Sequence, residues 1–198
     1  METSSIGPDR LMEWEINKCL DFLKEGKTIL YPTDTVWGLG CDATSFKAVE
    51  KIYSLKRRME HKSLIILLDD SAKLVHYVQD IHPIAWDLLQ GVGTPLTIIY
   101  PSGQNLAANV IADDGSIAIR ITKDEFCRKL IQAFGKPIVS TSANITGTST
   151  PLFFKNISPE IKENVDYIVS LYQNKLQAMK PSRIIRLFNN GEFEVIRQ

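Results

Sequence analysis

Two stretches of this chain carry side chains that could do chemistry. The first, GKTILYPTDTVWGLG, leads through a helical segment to Lys56, Arg57 and Arg58, with Lys62 just beyond. In it, Thr33, Asp34 and Thr35 follow a short β-prone run that Pro32 closes. The second, Pro137 to Gly147 (PIVSTSANITG), runs from an apolar strand straight into Ser140, Thr141, Ser142 and Asn144. Small polar groups at strand ends, facing a basic cluster, are how α/β proteins hold phosphates and carboxylates. Each feature also has a bland reading. Cations at a helix C-terminus complement its dipole, and Ser/Thr/Asn runs often form turns.

The elements that must position these groups follow from periodicity. Pro8 and Asp9 open a helix carrying Leu11, Trp14, Cys19, Leu20 and Leu23, ended by Gly26. Thr28 to Tyr31 is a strand, and Gly38 and Gly40 allow the backbone to turn or to approach a ligand closely. Phe46, Val49 and Tyr53 recur at helical spacing behind a Thr44 or Ser45 cap. Ser63 to Leu68 reads as a buried strand, with Asp69 and Asp70 capping a short helix. A helix over 83–90 and a strand over 95–100 come next, then a polar loop over 102–115 expected to be mobile. Ser116 to Ile121 alternates as a strand with Arg120 near its end, and a helix over 124–134 leads to the second polar stretch. After a linker at 146–151 come a helix capped by Ser158, strands over 166–169 and 182–187, and a hairpin at Asn189-Asn190-Gly191 into a last strand over 193–197. Alternating strands and helices that give way to hairpins predict one α/β domain over 10–198, with a twisted, mixed parallel/antiparallel sheet flanked by helices and a flexible 1–9.

Composition bounds the function classes. The 198 residues suit one domain with a substantial core, and 44% hydrophobic with 23% charged residues is ordinary for a globular protein. Lysine plus arginine balance aspartate plus glutamate at 23 each, so an anion site must come from local clustering. Cys19, Cys41 and Cys127 are odd in number and far apart, which fits neither a disulfide framework nor a zinc site and points to a reducing, cytoplasmic setting. No apolar run is long enough to span a membrane. His61, His76 and His82 lack metal-ligand spacing, and there is no GxSxG, HExxH, Walker A or GxGxxG sequence. A Cys–His nucleophile pair stays open, because such partners meet only in space. What remains is a hydroxyl-rich, Lys/Arg-lined cleft.

The ordered set PTDTVWGLG, Lys56-x-Arg58, Ser142-Ala143-Asn144 and Pro181-Ser182-Arg183 resembles the YrdC-type L-threonylcarbamoyladenylate synthases of the short, single-domain kind, from about Glu15 to the C-terminus. The resemblance implies a YrdC-like fold and a nucleotidyltransferase. Such an enzyme condenses L-threonine, bicarbonate or carbon dioxide, and ATP into L-threonylcarbamoyladenylate plus pyrophosphate, for N6-threonylcarbamoyladenosine in tRNA. It implies magnesium travelling with ATP, no dedicated protein metal site, and a threonylcarbamoyl transferase complex as acceptor of the product. By the same resemblance, Lys56 and Arg58 are catalytic and bind ATP phosphates. Lys62, Ser142, Asn144 and Arg197 join the nucleotide site, with Ser116 and Thr150 as weaker members. Thr33, Thr35, Arg120, Ser140 and Ser182 would hold threonine, Arg120 by its carboxylate.

The sequence also departs from the family pattern. Met59 and Ser63 stand where prolines are common, Leu67 where some members carry histidine, Arg183 where threonine is common, and Gly91-Val92-Gly93-Thr94 replaces the start of a Trp-Pro-Gly-Pro-Leu-Thr segment. Two other classes are weighed. One is an RNA-binding module using the same basic concavity for tRNA or double-stranded RNA, against which zero net charge counts. The other is a carbamoyl-transfer domain like those of hydrogenase-maturation proteins.

Overall fold

The computed structural model describes residues 7–58, 64–91, 93–174 and 181–198. Nine strands form a single mixed sheet: β1 (Ile29–Tyr31), β2 (Gly38–Gly40), β3 (Ile65–Leu68), β4 (Leu96–Tyr100), β5 (Ile117–Ile121), β6 (Ile138–Ser142), β7 (Tyr167–Ile168), β8 (Arg183–Leu187) and β9 (Phe193–Arg197). Their order is β7-β1-β2-β6-β3-β5-β4-β8-β9. The pairs β1/β7, β3/β5 and β4/β8 are parallel, and the other pairs are antiparallel. The helices are α1 (Pro8–Lys24), α2 (Phe46–Lys56), α3 (Leu74–Tyr77), α4 (Ile84–Gly91), α5 (Glu125–Phe134) and α6 (Pro159–Asn164).

Side-chain alternation along the strands sorts the sheet into two faces. Leu30, Leu39, Ile66, Leu68, Ile98, Ile119, Val139 and Ile185 enter the larger apolar cluster. There they meet Val49 and Ile52 of α2, Leu74 of α3, Ala85 of α4 and Ile161 of α6. Burying each such aliphatic side chain contributes roughly 1.5–3 kcal/mol before entropy is counted. On the opposite face Ile29, Tyr31, Leu67 and Ile138 pack under α1 and α5, which bring Ile16, Cys19, Leu23, Phe126, Leu130 and Ile131. The same face continues through Ile65, Ile99, Ala118, Arg120, Ser140 and Ile184, and these residues floor a cleft.

Local chemistry sets the ends of the elements. Pro8 sits at the start of α1, Ser45 caps α2 by accepting from the Ala48 N–H, and Asp124 caps α5 by accepting from the Cys127 N–H at 2.8 Å. Gly135 ends α5 in the left-handed region at φ 75°.

Two expectations are corrected. Gly38 and Gly40 do not form a turn: they lie in β2, between β1 and β6. The reason for glycine is close approach. A Cβ on Gly40 would stand 2.6 Å from Tyr31 Cε1 and 2.7 Å from the Val139 carbonyl oxygen. The Tyr31 ring crosses this strand, and its hydroxyl donates to that same carbonyl at 3.2 Å. Gly40→Ala therefore lowers stability by about 1–3 kcal/mol through overpacking, read as a lower urea midpoint.

The second correction concerns the loop over 102–115, which is anchored rather than loose. Tyr53 donates to the Asn109 carbonyl at 2.9 Å, Asn109 donates to the Phe46 carbonyl at 3.1 Å, and the Ala107 N–H donates to the Ala43 carbonyl at 3.0 Å. Val110 is fully buried. Its polar composition hid these few apolar anchors.

Candidate functional site

The loop after β1 is folded by its own hydroxyls. Thr33 Oγ1 donates to the Val36 carbonyl at 2.7 Å, accepts from the Thr35 N–H at 3.1 Å, and lies 3.0 Å from Thr35 Oγ1. Arg120 of β5 then donates through Nη1 to Thr35 Oγ1 at 3.3 Å. Its Nη2 is 3.4 Å from Asp34 Oδ1, and its buried Nε has no hydrogen-bond partner. A guanidinium has five N–H donors, and these long contacts leave donor capacity for an anionic ligand. Arg120 is 4% exposed, so its charge sits where a carboxylate would be poorly screened and strongly held.

The basic triplet at the end of α2 splits three ways. Lys56 is buried and turns inward: Nζ donates to the Ser142 carbonyl at 2.5 Å and to the Asn144 carbonyl at 2.8 Å. Arg57 ends the helix in the left-handed region at φ 50° and pairs with Glu160 of α6 at 2.7 Å. Arg58 enters the cleft wall. Ser142 Oγ donates to Asn144 Oδ1 at 2.5 Å, and Asn144 Nδ2 donates to the Thr148 carbonyl at 2.7 Å, so the second polar loop is tied to itself and to Lys56.

Burial, and secondarily the Arg58 charge, push the Lys56 ammonium down to about 8. Below that pH the group is cationic, and above it the charge is lost. The brace on the Ser142 loop weakens with that charge, so turnover at the cleft should fall as pH rises through about 8. A pH profile of Lys56→Met lacking this limb checks the assignment.

On the far wall, Ser182 and Thr97 hydroxyls meet at 2.8 Å. Arg197 of β9 donates to the Ser182 carbonyl through Nε at 3.0 Å and Nη2 at 2.8 Å. Burial, then the Arg120 charge, lower the Arg197 pKa.

The cleft encloses about 310 Å³. Of the residues singled out in the sequence, Thr33, Thr35, Arg58, Arg120, Ser140, Ser142, Thr150, Ser182 and Arg197 line it. Lys56 and Asn144 do not line it; they brace the Ser142 loop from behind. Ser116 is buried just before β5, where its N–H donates to Asp114 Oδ1 at 2.9 Å, and it does not line the cleft. Lys62, Met59 and Ser63 lie outside the described residues. Leu67 is fully buried beside Arg120 in the cluster under α1 and α5 and does not line the cleft.

Sequence reasoning missed two kinds of wall. Ile65, Ile99, Ala118 and Ile184 make an apolar floor; their strand register with Ser140 and Arg120 was the available signal. Asp34 was read only as one more small polar residue, although it is the acid that faces Arg120. Among the described residues no group of three or more His, Cys, Asp or Glu could hold a metal ion. The charged residues lining the cleft are all arginines. Among the described residues no helix is long and apolar enough to cross a membrane.

The Sua5/YciO/YrdC family model, described as "Telomere recombination", matches residues 21–198. Threonylcarbamoyl-AMP synthase of Idiomarina loihiensis is 36% identical over 169 residues, 83% of this chain and 89% of that protein. The protein of the same name from Pseudoalteromonas translucida is 35% identical over 150 residues, 74% of this chain and 80% of that one. Among solved structures, the H234A/Y235A form of P. abyssi Sua5 superposes with a TM-score of 0.85 at 27% identity, covering 93% of this chain. The chain spans 56% of that longer protein. P. abyssi Sua5 complexed with L-threonine gives a TM-score of 0.80 at 28% identity, over 88% of this chain and 51% of that one.

Proposed function

The chain belongs to the Sua5/YciO/YrdC family, and on that premise we propose that it is an L-threonylcarbamoyladenylate synthase. The observation that carries the reading is the convergence of Arg58, Arg120 and Arg197 on one small hydroxyl-lined cleft. Its volume of about 310 Å³ is at the lower end of small-molecule pockets, about 300–1,000 Å³. Support also comes from relatives named threonylcarbamoyl-AMP synthase and from a solved relative complexed with L-threonine.

In this reading Arg120 takes the threonine carboxylate through its free N–H groups, with Thr35 and Asp34 fixing the guanidinium plane. The threonine amine adds to carbon dioxide with loss of a proton, or to bicarbonate with loss of water, to give a carbamate. A carbamate oxygen attacks the α-phosphorus of ATP, a new P–O bond forms, and pyrophosphate leaves. The anionic carbamate needs no strong base, so the protein's work is alignment and charge neutralisation. Arg58 and Arg197 neutralise the phosphates, while the Ser142 loop, braced by Lys56, supplies hydroxyl and backbone contacts. Magnesium would arrive on the triphosphate, held by its oxygens and water, and would share the same charge neutralisation. Ser140 and Ser182 lie against the threonine side. The product is passed to a threonylcarbamoyl transferase acting on tRNA.

Pyrophosphate release measured with ATP and magnesium tests the proposal. Release that requires both L-threonine and bicarbonate is expected. Release without threonine would move the chain to carbamoyl transfer. Salt-sensitive RNA binding with no turnover would replace the synthase by an RNA-binding module.

A further inference from the structure

A second cavity, of about 340 Å³, has Asp34 in its wall. Its wall is mostly apolar: Trp86 and Leu89 from α4, Leu96 at the start of β4, Pro95 before it, and Ile121 at the end of β5. Two charged groups of opposite sign stand in it, Asp34 and Lys123. Asp34 lines this cavity and not the cleft, yet its Oδ1 is 3.4 Å from Arg120 Nη2. That oxygen is buried and accepts no hydrogen bond, so its charge is only partly answered. One carboxylate thus lines the second cavity and contacts an arginine of the cleft.

An ammonium group beside Asp34, a carboxylate toward Lys123 and an apolar side chain among Trp86, Leu89 and Ile121 would match this wall. We propose that the second cavity is a binding site for a zwitterionic amino acid with an apolar side chain, coupled to the cleft through the Asp34–Arg120 pair. The direction of coupling follows from electrostatics. A ligand ammonium that answers Asp34 leaves the Arg120 charge less compensated, and a carboxylate in the cleft is then held more tightly. By reciprocity, a carboxylate on Arg120 frees Asp34 and tightens the second ligand. The coupling rests on the assignment of Arg120 to threonine; the site itself does not.

Gly93 supplies a clean test. It lines the cavity, is exposed, and a Cβ built on it meets no atom within 4 Å, so a larger side chain is accommodated at the cavity wall without displacing the core. L-leucine is titrated calorimetrically into wild-type protein, Gly93→Leu and Asp34→Asn, with and without saturating L-threonine. Saturable binding is expected in wild type, tightened about fivefold or more by threonine. It weakens about tenfold or more in both variants, while Gly93→Leu keeps its threonine-dependent pyrophosphate release. The carboxylic acid 4-methylpentanoate, which lacks the ammonium, should not bind. Undiminished leucine binding in Gly93→Leu, competition between leucine and threonine, equal binding of 4-methylpentanoate, or no binding to wild type each overturns the proposal. The leucine titrations need no nucleotide chemistry, so their failure is distinct from failure of the synthase reading.

Discussion

Arg58→Ala lowers pyrophosphate release by about 10²–10³-fold, the range seen when one preorganised group facing transition-state charge is removed. The argument begins in the backbone. Arg57 takes a left-handed conformation at the end of α2, and this turn sends Lys56 inward and Arg58 into the cleft wall. Burial lowers the Arg58 pKa from its usual value, yet an arginine stays cationic at any working pH. Phosphate oxygens gain charge at the transition state, so the loss falls on kcat and on kcat/KM for ATP alike. The melting temperature should change little, because Arg58 stands in the cleft wall and belongs to neither apolar cluster. Unfolding of the variant, or activity within a few-fold of wild type, would return Arg58 to a structural role.

Arg120→Lys acts on the other substrate. The charge is kept, but the planar fork is lost, and with it the simultaneous contact to Thr35, Asp34 and a carboxylate. Losing a charge-assisted bidentate contact costs about 1.5–3 kcal/mol, so the KM for threonine should rise by roughly ten- to a hundredfold. The KM for ATP should move far less. A modest fall in stability accompanies this, since Thr35 and Asp34 lose a buried partner. Equal shifts in both Michaelis constants would show that Arg120 serves the whole cleft rather than threonine.

The sheet's character and most of its strands were legible because period-2 alternation and turn residues are local signals. β2 was not, since Gly-Leu-Gly has no β-propensity; only the approach of the Tyr31 ring and the Val139 carbonyl explains it. The site was legible where motif residues face the ligand side directly, as at Thr35, Arg58, Arg120 and Ser140. It was illegible where a residue acts through another. Nothing in Lys56-x-Arg58 says that the lysine turns back onto two carbonyls 86 and 88 residues away while the arginine faces the cleft. Nor does PTDT say that the aspartate reaches past its neighbours to Arg120, because that pairing depends on the register of β3, β5 and the loop after β1. Ser116, carried over by resemblance as a weaker member of the nucleotide site, shares the face of Arg120, but the strand's length carries it to the far end and onto Asp114.

The central claim is that one cleft joins threonine, a one-carbon unit and the adenylate. Mass spectrometry of the reaction made with bicarbonate carrying a heavy carbon isotope tests it most directly. The expected product is an adenylate that contains threonine, carries the heavy carbon, and is lost when either threonine or bicarbonate is withheld. Pyrophosphate appearing with plain AMP and unmodified threonine as the only other products, or an adenylate without the heavy carbon, would contradict it.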